Sequence, residues 1–246
     1  MKRLNILLVG AALALPLVSQ AAVNKGIEGS VHDFSNVTNN TWNTRSGVCS
    51  PCHAAHHTDP QQVVPLWVHA TSTAAFQMYS SPTMDAAVST TGPTGSSLAC
   101  LSCHDGTVAI NASISSSAPA SPVFIDEAAQ IGPDLHTTHP ISFVYDAALA
   151  ALDGSLENPV TYKIGDTKSI LTVNNPPIPS AGWAGTSLTG KSIDDALLIN
   201  HKMECSSCHD VHKLVGSAPS SGILVKISGN DINGRGSLIC RTCHIK

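Results

Sequence analysis

The chain has 246 residues, a formal net charge of −4, only 12% charged residues and only 4% aromatic residues. The negative balance excludes nucleic acid as a natural partner. A chain so rich in Ser, Thr, Gly, Asn and Pro buries little with its own side chains, yet it carries eight cysteines and twelve histidines.

Residues 1–21 read as an export signal. Met1-Lys2-Arg3 is a charged start, Leu4 to Val18 is an apolar run, and Ser19-Gln20-Ala21 supplies small residues before a cut. The run is short of the ~18–20 apolar residues of a span, no Cys follows it for lipid attachment, and no later stretch is apolar enough to cross a membrane. The expected product is an exported protein of just over 220 residues. Residues 22–48 show no hydrophobic period and form an expected extended arm, with His32-Asp33-Phe34-Ser35 standing out in it.

Four copies of C-x-x-C-H then use every cysteine: Cys49–His53, Cys100–His104, Cys205–His209 and Cys240–His244. This is the c-type haem attachment sequence. Two thiols add to the two vinyl groups of one porphyrin, and the adjacent imidazole ligates the iron. Zinc sites and disulfides also use cysteine, but neither requires a His after each second Cys. The expected cofactors are four covalently bound haem c groups, held through Cys49, Cys52, Cys100, Cys103, Cys205, Cys208, Cys240 and Cys243, with His53, His104, His209 and His244 on the irons. Their bulk would replace the missing apolar core, coupling folding to attachment.

The motifs fall into a first two-haem module at 49–110 and a second at 201–246, around a cysteine-free insert at 111–200. The first and third motifs share C-S-x-C-H-x-x-H, ending at His56 and His212. The second and fourth share S-L-x-C-x-x-C-H, so the order looks like an internal duplication. In the insert, Pro140–Tyr145 and Val160–Ile164 predict short strands. Asp146–Leu152 predicts one or two helical turns, and Ser192–Asn200 predicts a short helix capped by Ser192. Gly222–Ile227 is a further strand candidate. The expected fold is mostly coil, with short α-helices and a few short β-strands wrapped around four haems.

Eight histidines lie outside the motifs: His32, His56, His57, His69, His136, His139, His201 and His212. Bis-His ligation of four irons is therefore available, and it saturates the metal in favour of electron transfer.

Several stretches together resemble the multihaem cytochromes with doubled C-x-x-C-H motifs, and in particular the OmcE-type tetrahaem cytochromes that polymerise into haem-lined filaments. They are Gly29–Ser35, C-S-P-C-H-A-A-H at the first motif, Pro65–His69, Cys100–Val108, His139–Phe143 and Cys205–His212. The insert beyond Tyr145 is not covered. The resemblance implies sixth ligands from His outside the motifs: His69 and His139 foremost, then His32, His56 and His212, with His57, His136 and His201 as spares. It also implies copies of the chain as partners, with His32 ligating a haem of a neighbouring subunit or, equally, one of its own chain, and redox proteins or extracellular acceptors beyond them. The expected location is extracellular or at the cell surface, with the periplasm as the alternative. Three functions follow: a conducting filament subunit, a monomeric periplasmic electron shuttle, and a multihaem reductase. The last is disfavoured because no motif replaces its His and no acid–base cluster stands apart. The chain is accordingly expected not to be an enzyme.

Overall fold

The computed structural model describes residues 27–28, 30–35, 41–43, 47–56, 58, 64–164, 188, 190–212, 226–227 and 237–245. The signal segment, His57 and most of the 222–227 strand candidate lie outside the described residues. In chain order the elements are α1 (Gly95–His104), a 3-10 turn (Glu127–Ala129), β1 (Phe143–Val144), α2 (Ala147–Asp153), α3 (Ile193–Leu197), β2 (Lys202–Met203), α4 (Cys205–Cys208) and α5 (Leu238–Cys243). The rest of the described chain is turn and coil. No helix among the described residues is long and apolar enough to cross a membrane.

Local chemistry accounts for the short helices. Asp146 accepts from the Leu149 amide to start α2, and Gly154 ends it in the left-handed conformation at φ 68°. Ser192 accepts from the Asp195 amide to start α3, whose first turn carries Asp194 and Asp195 against the helix dipole. The predicted helix to Asn200 stops at Leu197 because Leu198 turns to extended backbone. Asn200 and His201 then adopt positive φ, at 52° and 61°.

Of the predicted strand at 140–145, only Phe143–Val144 pairs, antiparallel to β2, with Phe143 opposite Met203 and Val144 opposite Lys202. Ser142, at φ 61°, bends the chain out of the ladder on one side. The predicted strand at 160–164 is instead a turn with one bridge, Lys163 to Ser192. Asn158 takes over its backbone amides, accepting from Val160 and Thr161.

The insert is not a separate body. Phe143, Tyr145, Ile164, Ile193 and Leu197 pack in one cluster with Met203, Leu238 and Cys243 of the second module. A much smaller cluster of Ala70, Ala109 and Ala112 serves the first module. Between the modules lies a polar seam, where α1 meets α4.

Candidate haem-binding site

Each motif is built on one turn of helical backbone. The amide of the motif His donates to the carbonyl of the first Cys in three of them: His53 to Cys49 at 2.9 Å, His209 to Cys205 at 3.0 Å and His244 to Cys240 at 3.0 Å. The remaining motif forms the C-terminal half of α1. Residues three and four apart share a helix face. The turn therefore brings the two thiols to one side and sends the imidazole off the end. The surroundings pin each turn. Val68 donates to Cys52 O at 2.9 Å, Lys226 to Cys208 O at 2.7 Å and Glu157 to Cys243 O at 2.8 Å.

Three of the four motif imidazoles face a second imidazole. His32 lies against His104 with ring centres 6.0 Å apart, His212 against His53 at 6.3 Å, and His139 against His244 at 6.4 Å. Metal–imidazole bonds run about 2 Å, so two rings on opposite faces of one ion have their centres roughly 6 Å apart. The hydrogen bonds at Nδ1 suit this use. Nδ1 of His53 meets Pro65 O, Nδ1 of His104 meets Ala129 O, and Nδ1 of His139 meets Pro140 O, each at 2.8 Å. A proton held on Nδ1 by a carbonyl leaves Nε2 with its lone pair free for a metal. His32 carries a buried Nδ1 without a hydrogen-bond partner. Burial, with His104 and His212 nearby, lowers its pKa to about 4. It is a neutral imidazole at ordinary pH.

Among the described residues, no second ring faces His209 at such a distance. Burial, with His104 nearby, lowers its pKa too. His69, expected among the foremost distal ligands, is buried with Nδ1 2.8 Å from Ala70 O and Nε2 3.1 Å from Ala109 O. Its Nε2 lies 3.6 Å from Cys103 Sγ, and it faces Trp67 and no motif His. His56 is exposed. His136 pairs with Asp134, and His201 with Asp194 at 2.8 Å.

His32, expected to reach a neighbouring subunit, lies within this chain with its ring against His104. What holds the arm is polar and local, and so left no hydrophobic period to read. Ser35 donates twice to Asp33, Asn43 donates to Phe34 O at 2.8 Å, and Phe34 packs on Trp42 with centres 5.3 Å apart.

Most of the shifted thiols are raised, whereas Cys205 is lowered, first by its hydrogen bond with Cys100. Burial first, with a neighbouring cysteine second, pushes Cys52 up to about 11 and Cys103 and Cys243 up to about 12. A redox-active C-x-x-C requires a depressed thiol. No disulfide joins any of the eight cysteines. No group of three or more His, Cys, Asp or Glu converges as a bare metal site among the described residues, whereas structural zinc takes four ligands.

The four sites follow one another in sequence order. Cys103 senses Cys52, Cys100 hydrogen-bonds Cys205, and Cys208 senses Cys240. Two carboxylates that the motif reading missed sit among them. Asp105 is buried and accepts from Ser72, Thr107 N and Thr107 Oγ1. Glu204 is buried between α1 and α4. The only sequence signal for either was its place directly beside a motif.

The chain was compared with models of known protein families and with curated proteins, and neither comparison gave a match.

Proposed function

We propose that this chain is an exported tetrahaem c-type cytochrome that carries electrons along a row of haems, as a subunit of an extracellular conducting filament. The observation that carries the haem reading is the set of three imidazole pairs at 6.0–6.4 Å, each joining a motif His to one from a distant part of the chain. Haem c fits this donor set. Two thiols per motif would form the thioethers, His53, His104, His209 and His244 would be proximal ligands, and His212, His32 and His139 the distal ligands of the first, second and fourth sites. The group would supply one-electron redox chemistry. The chain's own part is to supply a second imidazole at three of the sites and to hold each site next to the following one.

Succession of the sites in sequence order supports conduction from end to end. The monomeric shuttle is the second reading, favoured by one observation: His32 lies against His104 of its own chain. Denaturing mass spectrometry of the secreted protein should give a mature chain heavier by four haems; three or fewer sinks the proposal. His139→Ala and His212→Ala should each keep four haems and turn one iron high-spin. Electron microscopy of the secreted material separates the filament from the shuttle.

A further inference from the structure

Glu204 is the most deeply buried carboxylate among the described residues, 2% exposed, at the N-terminus of the helix that carries the third attachment motif. Three hydroxyls converge on it. Thr94 donates to Oε1 at 2.8 Å, Ser142 to Oε2 at 3.1 Å, and Ser97 also reaches Oε2. Ser97 Oγ accepts from the Cys205 amide at 2.9 Å, and Ser142 Oγ accepts from the Thr94 amide at 2.9 Å. With an amide donating to each of them, Ser97 Oγ and Ser142 Oγ turn their protons to the carboxyl group, as Thr94 does. Hydroxyl donors on both oxygens suit the acceptor-only, negatively charged form of the group.

The residues around Glu204 belong to two attachment motifs at once. Ser97 lies three residues before Cys100, and Cys205 follows Glu204 directly. Gly95, at φ +49°, lets the backbone approach: a Cβ there would stand 3.3 Å from Glu204 Oε1. The two thiols nearest Glu204 share a hydrogen bond that raises Cys100 and lowers Cys205, and at both positions the Glu204 carboxyl group acts as a smaller upward influence.

We propose that Glu204 is a redox-positioning residue, a fixed buried charge that favours the oxidised state of the second and third haems over the first and fourth. This rests on the tetrahaem reading above. A buried negative charge stabilises the ferric over the ferrous iron, and the low dielectric around it leaves the effect little screened. The two haems at the seam would then be the hardest to reduce, a step midway along the row.

The test is a potentiometric titration of the haem-loaded protein, followed by its visible spectrum. Glu204→Gln removes the charge and keeps the shape. Two of the four midpoints should rise, each by about tenfold in the reduction equilibrium, or about 59 mV for one electron. The other two should stay within a twofold change. Ser97→Ala is the counterpart, because it keeps the charge and removes a donor that neutralises it, so the same two midpoints should fall. A merely structural role would move both variants in the same direction or disturb all four haems, and either result overturns the proposal, as does an unmoved Glu204→Gln. If Glu204→Gln fails to fold, the sign of the Ser97→Ala shift decides alone. Mass spectrometry of the same samples keeps the two claims apart: fewer than four haems defeats the cytochrome reading, whereas four haems with unshifted midpoints defeats only this one.

Discussion

The seam between the modules and the core of the insert hold the same molecule together by opposite means. The seam is polar, with Ser96 Oγ 2.5 Å from Ser206 Oγ, Glu204 beneath three hydroxyls, and Ser207 Oγ accepting from the Glu204 amide at 2.9 Å. The insert core is apolar, and Ile164, Ile193 and Leu197 are almost wholly excluded from solvent. Hydrophobic burial is non-directional and tolerates small shifts, whereas hydrogen bonds fix distance and angle. Directional bonds stand where two attachment motifs must keep a set spacing, and apolar packing stands where bulk alone is required.

The two regions should therefore break differently. Glu204→Ala strands three buried hydroxyls, at about 1–3 kcal/mol each before relaxation, so a loss of roughly 3–5 kcal/mol is expected. Chemical denaturation should show it, together with changed visible spectra of the two haems proposed at the seam. Ile193→Ala should cost about 2–4 kcal/mol through the cavity it leaves, with the haem spectra intact. If Ile193→Ala disturbs the spectra as much as Glu204→Ala does, the division between seam and core is wrong.

A third contrast uses pH. His32 has a folded pKa of about 4 against 6.5 when unfolded. Between these values the unfolded chain binds more protons, so stability should fall as pH drops from about 6.5 to 4, and level off below. Coordination of the same ring to a metal would act in the same direction. Denaturation midpoints at pH 7 and pH 5 should converge in His32→Ala, which lacks the group. At the seam, Glu204→Gln should leave the His32-dependent slope in place.

The smallest effects belong to the caps. Ser192→Ala removes the hydroxyl that starts α3, and Asp146→Ala the carboxylate that starts α2; each should cost about 1 kcal/mol. Thermal unfolding should register both as small decreases, with no change in any haem midpoint.

Much of the local structure was legible in the sequence, and the reasons are particular. Asp146 and Gly154 bracket α2, and Ser192 with two acids after it starts α3, because caps act over three or four residues. The turn at each motif is likewise local, a single bond from His to Cys. The predicted strand at 160–164 failed because Asn158, two residues upstream, claimed the amides that a strand would have paired.

The sequence by itself determined the chemistry: eight thiols in four pairs, each followed by an imidazole, with eight further imidazoles to choose among. Spacing within five residues is enough for that, because each pair of thiols and its imidazole share one turn of backbone. Only the tertiary structure decided which distant imidazole faces which motif. His32 meets His104 across 72 residues, His53 meets His212 across 159, and His139 meets His244 across 105. It set both nitrogens of His69 beside backbone carbonyls and its ring against Trp67. It also brought Glu204 under Thr94, Ser97 and Ser142, although nothing near Glu204 in the chain names those partners. Such pairings depend on how turns with little periodicity pack against one another, and that is settled by the whole fold and not by any window of the sequence.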